Sequence, residues 1–373
     1  MQPVPVLYLI HSLGHGGSER QLAAVARALD RRRFSPHAAS VMGGFRADEM
    51  REDGIPVWTL PFRSYFGAST VPAIRRLCTY ISRQQIRLVH TFDYSLSPLG
   101  VAAARMCRGV CVLSSQRFYM EAVPAKYRYL LMASHWQADG IVANCEELRR
   151  HLHEEYKYPA SRIEVCWNGI DTGRFHPSRR GRLAEVADAA FVVGTVCVLR
   201  AGKGLAHLLE AFAHVRNAAP RMKLLIVGSG PEEEALRTLA GRLGIELQCC
   251  FLPSTSEVTA ALSSMDLFVH PSLSEGLPNA VMEAMACGCT VIASRVGGCP
   301  ELIQHGTHGM LFTPGNLDEL ISVLHTAIAQ PELSRTMAAA GAARMREQFS
   351  IAASARRMSE IYDALLKQEQ GAA

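Results

Sequence analysis

The 373-residue chain has no apolar run near the roughly 18 residues that a membrane-spanning helix needs. Its start has no charged region followed by an apolar stretch of leader type, because Pro3 and Pro5 precede only a strand-length apolar run. The expectation is a cytoplasmic protein, with docking on the inner face of a membrane left open. A disulfide framework is also missing. The eleven cysteines are odd in number and scattered through apolar runs, as buried thiols in a reducing compartment are. Cys287-x-Cys289 and the adjacent Cys249 and Cys250 lack zinc-ligand spacing, so no metal site is expected. No Asp-x-Asp occurs, which removes the short carboxylate clamp that would chelate a metal–diphosphate. Aromatics make up only 7% and are not interleaved with a basic stripe, so nucleic acid is not an expected partner.

What is present is apolar bulk, at 49%, enough for large cores and for two domains rather than one. The net charge of +5 is uneven. Residues 1–165 carry 21 basic and 14 acidic side chains, a net +7, whereas 166–373 carry 18 and 20, a net −2. A basic first half suggests an anionic surface or acceptor nearby, such as anionic lipid head groups; ordinary solvated arginine is the plainer alternative. Strand-like apolar runs alternate with helical periods: Val4–Ile10, Ala38–Met42, 57–60, 87–91 and 110–114 in the first half, then 191–199, 223–227, 247–252 and 266–269 in the second. This βα alternation predicts parallel sheets covered by helices.

The stretch 268–303 organises the rest. An apolar run ends at Val269 and leads through Pro271 and Ser272 to Glu275. Pro278 then opens a predicted helix with Val281, Met282, Met285 and Ala286 on its period, and Gly288 closes it. Backbone amides at Gly276, Leu277 and Asn279 make the helix start a ready anion site. Glu283 lies about 12 Å along a helical rise from Glu275. It is set among Ala280, Val281, Met282, Ala284 and Met285, and a carboxylate there should be paired or functional. Near the other end of the chain, His11-Ser12-Leu13-Gly14-His15-Gly16-Gly17 follows the first strand. Ser18 and Gln21 then have capping-box spacing. A glycine loop of this kind lets backbone approach a phosphate or sugar closely. A dinucleotide fold would add an acidic residue about 20 positions on, but the second strand ends in Gly43-Gly44. A purely structural glycine turn is the competing reading.

Glu275, seven residues, Glu283, inside E-G-L-P and E-A-M-A-C-G, with Gly297-Gly298-x-x-Glu301 following, closely resembles the donor-binding segment of family 4 retaining glycosyltransferases (glycosyl transferases group 1). The G-G-x-E-R loop, the N-G-I-D…F-x-P run at 168–177 and the V-G-x-G-P turn at 227–231 resemble the same family. The resemblance implies the GT-B fold, α/β, with two Rossmann-like doubly wound domains facing a cleft and a C-terminal helix crossing back to the first. The corresponding boundaries are 1–170 for the acceptor domain, 171–189 for a charged linker, 190–348 for the donor domain and 349–373 for the returning helix.

The same resemblance implies metal-independent transfer of a sugar from a nucleotide-diphosphate sugar, with retention, to a glycan, lipid-linked or other hydroxyl acceptor. No cofactor is implied, the nucleotide-sugar being a substrate. Lys203, Arg200 and the helix start near Gly276 would stabilise the departing diphosphate. Glu275 would position hydroxyls of the sugar, Glu283 would accept from the ribose, and Leu252 would contact the base. Gly16, Gly17, Gly276, Leu277, Pro278 and Asn279 complete the donor set. His90 and Asp93, at a strand's C-terminal end, and Gln116 and Arg117 are assigned to the acceptor side. Two departures stand out. Many relatives carry a histidine where this chain has Gln116, and an arginine five residues before the lysine, where this chain has Val198 and places Arg200 three before. They motivate the alternative of a non-catalytic or hydrolytic sugar-nucleotide-binding protein. A nicotinamide oxidoreductase is disfavoured by the missing acidic ribose anchor.

Overall fold

The computed structural model describes residues 2–14, 16–178 and 181–372, with side chains as far as 368. The chain divides into two compact units. The first runs to Gly169 and includes the last helix, Ile351–Ala372; the second is Ile170–Ser350. Arg179, Arg180 and the loop residue His15 lie outside the described residues.

In the first unit β1 (Val4–Ser12), β2 (Phe34–Met42), β3 (Val57–Thr59), β4 (Leu88–Thr91), β5 (Cys111–Gln116), β6 (Gly140–Ala143) and β7 (Ile163–Val165) form one parallel sheet. Its order is β3-β2-β1-β4-β5-β6-β7. Successive strand residues point to opposite faces, and β1 shows the result. Val6, Tyr8 and Ile10 join one core with Leu22, Val25 and Ala26 of helix Gly17–Ala28 and with Met358, Ile361 and Tyr362 of the last helix. Leu7 and Leu9 join another core with Leu77 and Ile81 of helix Thr70–Arg83 and Leu99 of helix Ser97–Met106. A strand buried on both faces must read as a continuous apolar run, which is why the alternation was legible.

The second unit repeats the plan with β8 (Phe191–Val196), β9 (Met222–Val227), β10 (Cys249–Leu252), β11 (Leu267–His270), β12 (Thr290–Ser294) and β13 (Met310–Phe312). These are parallel and ordered β10-β9-β8-β11-β12-β13. In both sheets the order reverses beside the first strand, between β1 and β4 and between β8 and β11. A crevice opens beyond the strand ends at such a switch point.

Three local expectations change. Ser18 and Gln21 form no capping box: Gly16 is the N-cap, and the buried Gln21 amide bonds both the carbonyl and the N–H of Gly169 at 2.9 and 2.8 Å. Pro278 precedes the helix as its N-cap, and the helix is Asn279–Ala286. β8 stops at Val196, three residues short of Leu199, and 197–204 forms a loop that contains the short turn Ala201–Lys203.

Candidate active site

The crevice of the second unit holds a compact polar cluster. Glu275 Oε1 accepts from Lys203 Nζ at 2.5 Å, Ser272 Oγ at 2.7 Å and His270 Nε2 at 3.0 Å. Lys203 follows β8 and the other three follow or end β11, so the switch-point topology brings them together from 72 residues apart. Burial by itself pushes the Glu275 carboxyl up, but the His270 hydrogen bond and the charges of His270 and Lys203 outweigh it and hold the group well below the carboxylate range. Oε2 has no protein donor among the described residues. Lys203 spends one of its three N–H bonds on Glu275 and has no other acceptor among them. The site therefore presents a fixed carboxylate oxygen beside an ammonium with donors to spare.

Glycines hold this geometry. Gly204 has φ +65°, and a Cβ there would lie 2.1 Å from the Pro271 carbonyl oxygen, so the Lys203 loop can lie against the end of β11 only without a side chain. Leu273 N–H donates to the Gly202 carbonyl at 2.9 Å, which also lies 3.2 Å from Ser272 Oγ. Gly297, at φ +49°, sits where a Cβ would meet the Glu275 carbonyl at 2.1 Å, and Gly298 N–H donates to the Gly276 carbonyl at 2.8 Å. The Gly-Gly turn thus clamps the backbone of residues 275 and 276. Ser294, at the end of β12, donates to the Ser272 carbonyl at 2.5 Å.

The remaining assigned residues of this unit are spread around the cluster. Leu277 is buried, and the Glu283 side chain is also buried, in helix Asn279–Ala286. The Leu252 carbonyl accepts the Gly228 N–H at 2.9 Å, which ties β10 to the glycine turn after β9. Arg200 is exposed and makes no side-chain bond to Lys203 or Glu275. The linker stretch that is described belongs to this unit: Arg182 pairs with Asp266 at 2.8 Å and Leu183 N–H donates to Ser264 Oγ at 2.9 Å.

In the first unit Gly16 and Gly17 begin the first helix, with Gly16 O accepting from Arg20 N–H at 3.1 Å. Asp93 stands at the switch point, its Oδ2 accepting from His11 N–H at 2.5 Å and its Oδ1 from Ser95 Oγ and Leu96 N–H. His90 is placed in the core, fully buried, with Nδ1 2.7 Å from Tyr362 Oη and Nε2 2.9 Å from Ser115 Oγ. Gln116 is buried too, bonded to the Phe118 carbonyl and to His135 Nε2. Neither has the open position that an acceptor contact needs. Arg117 is half-buried, bonded to Asn168 Oδ1 and lying 4.8 Å from the Phe92 ring; burial lowers its pKa to about 10. A pocket of about 390 Å³ opens beside Asp93, with Phe62, Tyr65, Tyr94, Phe118 and Tyr127 in its walls.

Sequence reasoning missed His270, although a histidine ending a buried strand five residues before Glu275 was a usable signal. It also missed the aromatic pocket, whose residues come from three separate loops and the helix Ala125–Gln137 and share no motif. Among the described residues no group of three or more His, Cys, Asp or Glu is placed to hold a metal ion. No described helix is long and apolar enough to cross a membrane.

Two family models match in tandem. The model described as Glycosyltransferase Family 4 covers residues 15–174, and Glycosyl transferases group 1 covers 184–344. Between them they cover most of both units. The chain belongs to glycosyltransferase family 4. Among curated relatives of this family 4 chain, the D-inositol 3-phosphate glycosyltransferase of Segniliparus rotundus is 31% identical over 240 residues, 62% of this chain and 53% of the relative. The N-acetyl-alpha-D-glucosaminyl L-malate synthase of Bacillus anthracis is 30% identical over 216 residues, 57% of this chain and 56% of the relative. The chain spans about half the length of such relatives. Among solved structures, Anabaena HepE in complex with UDP superposes with a TM-score of 0.84 at 22% identity, covering 97% of this chain and all of that one. A glycosyltransferase from Rickettsia africae gives 0.85 at 19%, covering 98% of this chain and all of that one. These likenesses establish the GT-B fold for the family 4 chain.

Proposed function

We propose that this family 4 chain transfers a sugar, with retention and without a metal, from a nucleotide-diphosphate sugar to a hydroxyl of a glycan or lipid-linked acceptor. One observation carries the reading: Lys203 keeps unspent donors beside an ionised Glu275 that keeps an unspent oxygen, at the switch point of the second sheet. In this reading the ammonium meets the charge that develops on the leaving diphosphate, and the helix start at Asn279 adds its dipole. Glu275 accepts hydroxyls of the transferred sugar, and a rigid acceptor of this kind rejects sugars that lack them. Glu283 serves the ribose, Leu252 the base, and Arg200, exposed and uncommitted, swings to the phosphates. HepE, a solved relative in fold, is recorded with UDP and with UDP-glucose, which makes uridine donors the first to test. The basic first half supports docking on an anionic membrane surface.

The test is a screen of UDP-, GDP- and ADP-sugars for nucleotide release and product. Glu275→Gln and Lys203→Met should each lower turnover by about 100-fold or more, the usual loss for one group that stabilises transition-state charge. Full turnover by Glu275→Gln would overturn the assignment. A chain that binds nucleotide in thermal shift yet never releases it from a sugar would establish the non-catalytic alternative.

A further inference from the structure

Three donors meet on one oxygen of Glu275, and they are held in different ways. Lys203 stands in the loop 197–204 and reaches the carboxylate with a flexible four-carbon stem. His270 is the last residue of β11, a central strand that pairs with β8 on one side and with β12 on the other, His270 itself standing opposite Ala293. Its side chain is 3% exposed, and its ring lies nearly parallel to that of Phe268, two residues back on the same face, with centroids 6.4 Å apart. The backbone after it is pinned as well. The Pro271 carbonyl abuts Gly204, and the Ser272 carbonyl accepts from Ser294 Oγ at 2.5 Å. His270 Nε2 is therefore a donor fixed by the sheet, whereas Lys203 Nζ can move with its stem.

The transferase reading, on which this inference rests, gives Lys203 a second anion to serve, the leaving diphosphate. An ammonium drawn toward phosphate loosens its hold on Glu275. A largely buried carboxylate that loses a donor turns, or takes up a proton. We propose that His270 is a positioning residue for the transfer: it holds Glu275 Oε1 in place while Lys203 turns to the phosphates, so that Oε2 still meets the sugar. Ser272 Oγ, 2.7 Å from the same oxygen, is the second support, with a single hydrogen to give. The ionisable groups acting on Glu275 among the described residues are His270, Lys203 and the Cys197 thiol, and Arg200 acts on the thiol. Burial pushes that thiol up to about 11, so it stays uncharged near neutral pH. The strand thus supplies the permanent hold and the loop the one that is shared with substrate, a division that suits a site whose charge must not shift during reaction.

Two measurements on the full chain check this. In the first, the side-chain carboxyls of glutamate are labelled with carbon-13, and the Glu275 signal is identified by its loss in Glu275→Gln. That signal should stay flat from pH 7 to pH 4 in the unaltered chain. In His270→Phe, which keeps a ring beside Phe268 but removes the N–H, it should titrate inside that window. His270→Gln, which restores an N–H at similar reach, should return it toward the flat trace, and His270→Leu replaces the Phe variant if melting curves show that one unfolded. The second measurement is initial rates with the nucleotide-sugar that the donor screen identifies. His270→Phe should lower kcat about 30-fold, with donor KM changed far less, and should move the acid limb of the rate profile to higher pH. His270→Gln should recover at least tenfold of that loss. A Glu275 signal that stays flat in the Phe and Leu variants would overturn the proposal, as would a Gln variant no faster than the Phe variant. If no nucleotide-sugar is turned over by the unaltered chain, the transferase reading falls, and the carboxyl titration still decides whether His270 governs Glu275.

Discussion

Glu275 and His90 solve opposite problems of burial. Glu275 keeps its charge because three donors converge on one of its oxygens; His90 stays neutral because its two neighbours are hydroxyls. Tyr362 donates to Tyr8 at 2.9 Å, so the His90 ring donates from Nδ1 to Tyr362 and accepts at Nε2 from Ser115. Burial, with the Arg117 charge, lowers the His90 pKa to about 3, and burial lowers that of His135 to about 3 as well. Below the ordinary histidine value near 6.5 the unfolded chain takes up protons that the native rings refuse, so stability falls as pH drops from about 6.5 toward 3. Each ring contributes a slope of about 1.4 kcal/mol per pH unit inside that window. Glu275 adds a loss only below about 4.3, the unfolded carboxyl value, because its own pKa is depressed. Urea midpoints measured at pH 7 and pH 5 should show the decline, and His90→Gln should make it smaller without removing it, since the pKa values of His37, His135 and His308 are also depressed by burial. An equal midpoint at both values would refute the neutral assignment. Gly297→Ala is the residue-scale test of the clamp. The strained φ and the contact with the Glu275 carbonyl should cost more than about 1 kcal/mol and raise the donor KM, read from melting and from initial rates.

At the scale of elements, the last helix is held by an apolar face and a polar pin. Met358, Ile361, Tyr362 and Leu365 pack on the core face shared with helix Gly17–Ala28. Tyr362 also links His90 to Tyr8. Tyr362→Phe keeps the ring but strands two buried partners, which should cost about 1–3 kcal/mol. Tyr362→Ala also empties a core site and should cost about 3–5 kcal/mol, by analogy with large aromatic truncations. Chemical denaturation of the two variants separates pin from packing, and equal losses would mean that the hydroxyl is idle. The helix itself was expected from the family resemblance, and Met358, Ile361 and Leu365 stand at helical spacing. Helices Phe45–Glu52 and Ala125–Gln137 were not, because each has almost no apolar sidedness and is fixed by loops and neighbours rather than by its own pattern.

At the scale of the whole molecule, the first unit is built from both ends of the chain and the second from one continuous segment. Ending the chain after Ser350 should therefore destabilise the first unit selectively, exposing the face around Tyr8 and Phe34. The second unit keeps Lys203, His270, Ser272 and Glu275 within one sheet, so a nucleotide-dependent thermal shift should survive the truncation. Loss of that shift would show that donor binding depends on the returning helix. Vesicle sedimentation tests the basic first half at this scale as well: binding to anionic vesicles should fall steeply between low and physiological salt, as screening shortens the range of surface charge.

The sequence alone determined the alternation of buried strands and helices, the doubling of that pattern, and the glycine and carboxylate spacings of the donor segment. These are local or periodic, and a parallel strand buried on both faces writes itself as an unbroken apolar run. Tertiary structure alone decided which polar groups meet. Lys203 joins His270 and Glu275 because strand order reverses beside β8, and His90 is lost to the core because a helix from the far end of the chain covers it. Five aromatics from three loops and one helix make one pocket wall. Those choices depend on strand order and chain return, which place residues tens to hundreds of positions apart within hydrogen-bond reach and leave no mark on the spacing of either partner.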